Sequence, residues 1–196
     1  MKKYLITGGS GFIGTSLVLS LLKNKKNYVL NLDNFTYAGD TNSLKSVKNF
    51  SNYDEKKVDI SDKVKIESII EKFAPDFILN LAAESHVDRS INDPSIFIKT
   101  NIFGTYSLLE GTRKYLEKCE KSKISKFRFL HVSTDEVFGD LSLTDEKFDE
   151  DTGYNPSSPY SASKASSDHL VRAWQRTYEV PTLITNCSNN YGPYQF

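Results

Sequence analysis

A glycine-rich turn near the amino terminus constrains the fold of this chain more than any other feature. The segment Gly8-Gly9-Ser10-Gly11-Phe12-Ile13-Gly14 directly follows a short apolar run and directly precedes a helix-like stretch. Glycines at such a junction permit a tight turn, close approach of the backbone to a pyrophosphate, and close packing of the helix on the strand. The N–H groups and the dipole at the start of the helix also favour a negatively charged phosphate. This segment therefore predicts the first strand–helix unit of a dinucleotide-binding sheet.

A carboxylate further along the chain supports this interpretation. Asp33 ends the second apolar run, 19 residues after Gly14, where an acidic side chain is expected to bind the ribose hydroxyls of an adenine dinucleotide. Asn34 follows, and no arginine lies nearby in the sequence to receive a 2′-phosphate. We therefore predict NAD rather than NADP as the cofactor. The alternative is a purely structural turn followed by an unrelated aspartate.

Short apolar runs alternate with longer helix-like stretches, which is typical of a parallel sheet with crossover helices. Strands are predicted at Tyr4–Thr7, Tyr28–Leu32, Lys57–Ile60, Phe77–Ala82, Phe127–Ser133 and Thr182–Cys187. Helices are predicted near 12–24, 62–73, 95–120 and 159–178, with a short one near 42–49. The fold class is therefore α/β, a doubly wound parallel sheet of the Rossmann type.

Two stretches do not fit regular elements. The acidic segment Gly139–Pro159 predicts a long loop, and loops of that length are usually functional or mobile. The chain ends at Gln195-Phe196, directly after a Gly192-Pro193 turn and without a closing element. We therefore expect one NAD-binding domain over residues 1–196, truncated before a further region.

Composition argues against several other functions. The chain carries 25 basic and 25 acidic side chains, a net charge of zero, so nucleic acid binding through a basic patch is not expected. The longest apolar run, at Leu17–Leu22, is far shorter than the ~20 residues that a membrane-spanning helix needs. Cys119 and Cys187 lack a metal-type spacing. We expect a soluble cytoplasmic protein without a nucleic acid, membrane or metal partner.

Tyr160 and Lys164 are spaced four residues apart at the start of the last predicted helix, which places both side chains on one face. A tyrosine, with a free pKa of about 10, needs an adjacent ammonium and an oxidised nicotinamide to act as a base near neutral pH. The spacing alone is a weak signal, because Tyr53 and Lys57 repeat it. We interpret that second pair as surface residues, since it precedes a short strand.

An acidic segment, Ser133-Thr134-Asp135-Glu136, lies at the carboxyl end of the fifth predicted strand, where parallel sheets place their ligand crevice. It offers a hydroxyl, an acid and a base beside the expected cofactor. Two alternatives stay open: a solvated acidic turn, and a metal site with Asp140 that lacks a histidine or cysteine ligand. His131 and His169 are interpreted as ordinary residues of a strand and a helix.

Several longer segments together carry a family resemblance. They are ITGGSGFIG, LAAESHVDRS, TNIFGTYSLLE, HVSTDEVFGD, PSSPYSASKASSDHLVRA and TNCSNNYGPY. The chain resembles the extended short-chain dehydrogenase/reductase family over essentially its whole length, and most closely the branch of dTDP-glucose 4,6-dehydratases. Nucleotide-sugar epimerases are similar at the glycines and at the tyrosine–lysine pair but lack the Asp-Glu pair. Phe138 departs mildly from the tyrosine of many relatives, and the smaller carboxy-terminal region that holds the nucleotide-sugar in the family is expected to be missing.

The resemblance implies a reaction and a role for each catalytic residue. Tyr160, helped by Lys164 and Thr134, would deprotonate the glucose C4 hydroxyl during hydride transfer to NAD⁺. Glu136 would then remove the C5 proton while Asp135 protonates the departing C6 hydroxyl, and return of the hydride to C6 would give a 4-keto-6-deoxy sugar. Other readings are a nucleotide-sugar epimerase or decarboxylase, and a catalytically idle nucleotide-binding fragment.

The resemblance also implies binding residues and an assembly. The NAD site would be lined by Gly8, Gly11, Phe12, Ile13, Gly14, Asp33, Asn34, Phe35, Thr36, Asp59, Ile60, Leu81, Ala82, Ala83, Ser85, Thr100, Tyr160, Lys164 and Asn190. The nucleotide-sugar substrate would touch Ser85, Thr134 and Asn189. A homodimer is expected through the helices near 95–120 and 159–178, with candidate contact residues Leu108, Leu109, Tyr115 and Leu116 on the first and Leu170, Val171, Trp174 and Tyr178 on the second.

Overall fold

Strand–helix units follow one another from the glycine turn onward in the structure, a computed structural model that describes residues 1–40, 42–142, 144 and 146–195. The strands are β1 (Lys2–Thr7), β2 (Asn27–Asp33), β3 (Tyr53–Lys57), β4 (Phe77–Asn80), β5 (Arg128–Thr134) and β6 (Thr182–Cys187). The helices are α1 (Phe12–Leu22), α2 (Lys63–Phe73), α3 (Val87–Asn92), α4 (Pro94–Phe97), α5 (Thr105–Leu116), α6 (Lys121–Ile124) and α7 (Pro159–Tyr178). A π-helix at Ile98–Gly104 joins α4 to α5, and 3₁₀ turns lie at Lys45–Val47 and Asp135–Phe138.

The strands of the described residues form one parallel sheet in the order β3-β2-β1-β4-β5-β6. Strands β2 and β3 are added on one side of β1, whereas β4, β5 and β6 are added on the other, so the strand order switches between β1 and β4. Ligands of open α/β sheets bind in the crevice at such a switch point. The predicted doubly wound α/β fold is confirmed.

Hydrophobic clusters cover both faces of this sheet. Ile6 and Val29 pack with Val18 of α1 on one face, while Leu5 packs in a second cluster with Ile66 of α2. Alternate residues of a strand point to opposite faces, so a run such as Leu5-Ile6 contributes to both clusters. This two-sided burial explains why the central strands are continuously apolar.

The third strand was predicted at Lys57–Ile60, and that prediction is wrong: the strand lies at Tyr53–Lys57 and overlaps the predicted range only at Lys57. The observed strand is polar because it is the edge strand, paired only with β2 among the described residues. Val58 and Ile60 owe their apolar character to burial in the loop beyond the strand. The interpretation of Tyr53 as a surface residue is also wrong, because it is buried and its hydroxyl donates to Glu55 at 3.1 Å.

The long helix predicted near 95–120 is divided. Asp93 caps its start by accepting the Ser95 N–H at 3.2 Å, and α5 ends at Leu116. Between them the π-helix inserts an extra residue into the helical repeat, a device that is frequent at functional sites. The short helix expected near 42–49 is a 3₁₀ turn.

Most residues proposed for a dimer contact pack inside this chain instead. Leu108, Leu109, Tyr115, Leu116 and Val171 are buried members of the core, and Leu170 and Trp174 pack against it. Tyr178 remains exposed. No helix of the described ranges is long and apolar enough to span a bilayer.

Candidate active site

A cleft of about 1440 Å³ opens at the carboxyl ends of the strands. It is lined by the glycine turn, by the segments that follow β2, β3, β4, β5 and β6, by residues of α4 and the π-helix, and by the first turns of α7. All residues predicted to bind the cofactor or substrate line this cleft except Phe35, and all predicted catalytic residues line it except Asp135. The structure therefore gathers residues from the whole length of the chain into one crevice.

The glycine turn leaves no room for a side chain at Gly8 or Gly14. Gly8 has a φ of +71°, and a Cβ there would lie 2.7 Å from the backbone nitrogen of Ala82. A Cβ on Gly14 would lie 2.1 Å from the carbonyl oxygen of Gly8. Gly11, the N-cap of α1, offers no side chain to cap the first turn of the helix. These close approaches leave a bare backbone cradle at a helix start, the geometry that suits a pyrophosphate.

Asp33 is held rigidly at the end of β2. Its carboxylate accepts the Ser10 N–H at 2.9 Å and the Phe35 N–H at 2.8 Å, so it connects the glycine turn to the segment after the strand. Phe35 adopts the left-handed backbone conformation, with a φ of +50°, and its N–H donates to this carboxylate. Phe35 therefore supports the cleft through its backbone rather than by lining it.

Tyr160 and Lys164 occupy the start of α7, which Ser158 caps and Pro159 begins. Tyr160 is buried, and burial together with the charge of Glu136 raises its pKa to about 12, while hydrogen bonds with Thr134 and Ser85 oppose that rise. Lys164 donates from Nζ to the Val132 carbonyl at 2.7 Å. Tyr160 therefore does not have the lowered pKa that a catalytic base needs.

Of the acidic pair that follows β5, only Glu136 lines the cleft. Thr134 accepts the Glu136 N–H at 3.2 Å and so caps the 3₁₀ turn. Glu136 lines the cleft, and burial, followed by the charges of Asp135 and Asp140, raises its pKa. Asp135 instead accepts the Thr134 hydroxyl at 3.4 Å. Among the described residues no group of three or more histidine, cysteine, aspartate or glutamate side chains is placed to hold a metal ion.

Asn101 was not identified as a site residue from the sequence, and its side chain connects two segments of the site. Its buried side chain accepts the Glu84 N–H at 2.9 Å and donates to the Glu84 carbonyl at 3.0 Å and to Ser163 Oγ at 2.8 Å. The loop that carries Ser85 is thereby fixed against the helix that carries Tyr160. Asn101 lies inside the π-helix, a feature that helical periodicity cannot reveal.

Glu84 and Lys99 also line the cleft without having been predicted. Glu84 is buried, its pKa is raised by that burial, and its Oε2 has no hydrogen-bond partner within the described part of the chain. Lys99 pairs with Asp59 at 3.0 Å. The motif LAAESHVDRS contains Glu84, but nothing in its spacing indicates burial.

The fold and this cleft define an extended short-chain dehydrogenase/reductase, and comparison with known proteins narrows the class. The family model described as GDP-mannose 4,6 dehydratase matches residues 5–196. The chain belongs to that family, which confirms the resemblance found in the sequence motifs.

Individual relatives are similar over the whole of this chain. A dTDP-glucose 4,6-dehydratase of Salmonella typhimurium is 55% identical over 202 residues, covering 99% of this chain and 56% of the relative. A crystal structure of dTDP-glucose 4,6-dehydratase from Bacillus anthracis in complex with NAD has a TM-score of 0.86 and 39% identity, over 100% of this chain and 57% of that one. A UDP-glucose 4-epimerase of Thermus thermophilus in complex with NAD has a TM-score of 0.84 and 28% identity, over 99% and 57%. The chain thus spans little more than half the length of the proteins it matches.

Proposed function

We propose that this chain is the NAD-binding part of a dTDP-glucose 4,6-dehydratase, a lyase that oxidises C4 of the sugar, removes water across C5 and C6, and returns the hydride to C6. The carrying observation is that Glu136, Thr134, Tyr160 and Lys164 line one cleft beside the glycine turn. An aspartate–glutamate pair after the threonine distinguishes this branch from the epimerases, and similarity to the Salmonella typhimurium dehydratase agrees with it.

The residues of the cleft fit NAD. The backbone cradle at Gly8–Gly14 suits the pyrophosphate, and Asp33 suits the adenosine ribose. Further positions around the cleft complete the proposed cofactor site: Asn34, Thr36, Asp59, Ile60, Leu81, Ala82, Ala83, Ser85, Thr100 and Asn190. Bound NAD would supply reversible hydride transfer, so that it is recycled in each turnover.

Proton movements are assigned to residues of the chain. Tyr160 takes the proton of the C4 hydroxyl, with Thr134 hydrogen-bonded to it and Lys164 one turn along the helix. Once C4 is a ketone, the C5 proton is acidic and Glu136 removes it; a raised pKa makes its carboxylate a stronger base. Asp135 is proposed to protonate the leaving C6 hydroxyl, which requires its side chain to turn into the cleft. Ser85, Thr134 and Asn189 are proposed to touch the substrate.

A mass measurement distinguishes this proposal from its alternatives. When the full-length protein is incubated with NAD and dTDP-glucose, the sugar nucleotide should lose the mass of one water with no net change in NAD. An epimerase would return a product of unchanged mass. An idle binding fragment would leave the substrate untouched while still binding NAD.

Cofactor choice is tested at Asp33. We expect the unmodified protein to bind NAD at least about tenfold more tightly than NADP, because a carboxylate repels a 2′-phosphate. Asp33→Ala should weaken NAD binding by about 10–100-fold through the loss of charged hydrogen bonds. Alanine also leaves the N–H groups of Ser10 and Phe35 without their acceptor. Thermal unfolding of the variant therefore accompanies the calorimetric NAD titration, and the same two measurements are made on Asp33→Asn. Equal affinities of the unmodified protein for NAD and NADP would contradict the assignment of NAD as the cofactor.

We also propose a cytoplasmic homodimer that pairs the helical segments around the π-helix and α7. Exposed apolar side chains on these segments support it: Ile98 is 46% exposed, Phe103 57% and Tyr178 48%. Both cysteines are free thiols, in agreement with a reducing compartment.

Sedimentation equilibrium tests the pairing. The unmodified protein should have twice the mass of one chain, and Phe103→Glu should weaken the dimer at least about tenfold, because a charge would be buried in the apolar contact. Val64→Glu, at an exposed position of α2, is the matched control. A concentration-independent monomer would contradict the proposal.

A further inference from the structure

A buried aspartate that the proposed chemistry does not use lies one helical turn beyond Lys164. Tyr160, Lys164 and Asp168 follow one another at four-residue spacing along α7, so they share one face of the helix. Asp168 is completely enclosed. A carboxylate in the interior is costly unless donors or positive charges surround it.

Donors from separate segments surround this carboxylate. Ser133 of β5 donates to Oδ2 at 2.7 Å, and Tyr154 of the long loop donates to the same oxygen at 2.9 Å. His131 Nε2 lies 3.4 Å from Oδ1, an electrostatic contact that lacks hydrogen-bond geometry. Burial acts to raise the pKa of Asp168, but His131, Ser133 and the charge of Lys164 hold it below its usual value. Asp168 is therefore ionised at neutral pH.

A chain of polar groups determines which nitrogen of His131 carries the proton. The Thr7 hydroxyl accepts the Ala82 N–H at 3.3 Å and donates to Asn80 Oδ1 at 2.7 Å. The amide nitrogen of Asn80 then lies 3.0 Å from His131 Nδ1, which must accept. Burial lowers the pKa of His131 to about 4, so the ring is neutral and its one proton is on Nε2, the nitrogen that lies nearer to Asp168.

Lys164 belongs to the same buried network, because its Nζ donates to the carbonyl of Val132, which directly precedes Ser133 on β5. Burial lowers the pKa of Lys164 to about 8, and Asp168, followed by Cys187, acts to raise it. The titratable groups around Lys164 are Asp168 and Tyr160 on its own helix, His131 on β5 and Cys187 on β6. Around Asp168 they are Lys164, His131 and Tyr154, and Arg172 donates to the Tyr154 hydroxyl at 3.1 Å.

We propose that Asp168 is a positioning residue of the cleft: held ionised by donors from β5 and from the long loop, it keeps the ammonium of Lys164 charged beside Tyr160. Its consequence for catalysis rests on the proposed function, because a charged Lys164 helps Tyr160 to lose its proton. The electrostatic interaction between the two buried charges does not rest on that function.

Titration of Lys164 tests the pairing directly. The signal of Lys164 is followed by nuclear magnetic resonance of protein that contains isotope-labelled lysine. The signal is assigned to Lys164 because it is missing from the spectrum of Lys164→Met. In Asp168→Asn the titration midpoint should fall by about one pH unit or more. Glu179→Gln removes the same charge at the exposed end of α7 and should leave the midpoint unchanged. An unchanged midpoint in Asp168→Asn overturns the proposal.

A second variant decides the question where Asp168→Asn does not fold. Coupling between two sites is reciprocal, so Lys164→Met should raise the titration midpoint of the Asp168 carboxyl relative to the unmodified protein. A carboxyl that titrates unchanged in Lys164→Met contradicts the pairing as firmly as the first result would.

The pH profile separates a positioning role from a merely structural one. Lys164 is charged below its pKa, so lowering that pKa removes the charge first at the alkaline end. The ratio of the unmodified rate to the Asp168→Asn rate on dTDP-glucose should grow from about one near pH 6 to about fivefold or more near pH 8. A defect of equal size at every pH overturns the proposal. If neither protein acts on the sugar nucleotide, the proposed function fails, while the titrations still decide this inference.

Discussion

Tyr160→Phe should abolish turnover of dTDP-glucose by the full-length protein, with neither reduced nicotinamide nor dehydrated sugar formed. The phenol is the only group assigned to take the C4 proton, and a positioned base contributes about 10²–10⁴-fold. The ring itself is retained, so its edge-on contact with Phe97, at 6.4 Å between centroids, persists and folding should be unaffected. Stopped-flow absorbance of the reduced nicotinamide measures the step, and NAD affinity should stay close to that of the unmodified protein.

A matched control lies on the side of the sheet where the strands begin, away from the cleft. Tyr28 lies near the amino end of β2, opposite the cleft, and packs its ring against Phe73. Tyr28→Phe should therefore turn over normally. Rapid formation of reduced nicotinamide in Tyr160→Phe would show that another group takes the C4 proton, and the assignment of Tyr160 would then be wrong.

Tyr160 needs help from a positive charge to act as a base. With a pKa of about 12, the hydroxyl is protonated at neutral pH. Positive charge is needed to make the phenolate accessible, and within the cleft Lys164 is the cation one turn along the same helix. Because Lys164 is itself buried with a pKa of about 8, its charge depends on Asp168. Acid–base competence of the cleft is thus distributed over one helix face rather than held by Tyr160 alone.

Local rules were sufficient to predict the centre of the fold from the sequence. The glycine turn and the apolar runs of the central strands obey short-range steric and burial requirements, and these elements lie where they were expected. The position of the edge strand β3 was not predicted, because its polar sequence reflects exposure to solvent rather than burial. Likewise, the π-helix at Ile98–Gly104 changes the helical repeat without a proline or glycine at its start to mark it.

Only the site residues that belong to contiguous sequence motifs could be predicted. Residues of contiguous motifs, such as Thr134 and Glu136, were assigned from the sequence and lie in the cleft. Asp168 could not be assigned, because its partners come from β5 and from the loop that contains Tyr154, and no sequence pattern joins those segments. His131 was interpreted as an ordinary strand residue for the same reason. Only the tertiary structure brings these two side chains within 3.4 Å of each other.

Glu136→Gln should separate oxidation from elimination. Tyr160 and Lys164 are left intact, so the C4 hydroxyl can still be oxidised, but the base for the C5 proton is gone. We expect dehydration to slow by about 10²–10⁴-fold, with the reduced nicotinamide and a 4-keto hexose accumulating on the protein. Absorbance and mass spectrometry of the quenched mixture would detect both. Glu146→Gln, in the exposed loop, is the charge-matched control and should behave like the unmodified protein.

Comparison with Asp135→Asn tests the division of labour within the acidic pair. Only Glu136 lines the cleft, so Glu136→Gln should be the more damaging change. An amide at 135 cannot protonate the leaving hydroxyl, yet it leaves the C5 base in place. Exchange of the C5 proton with deuterated solvent should therefore survive in Asp135→Asn and be lost in Glu136→Gln. If both variants dehydrate dTDP-glucose at the unmodified rate, neither carboxylate takes part in the elimination, and the distinction from an epimerase loses its chemical basis.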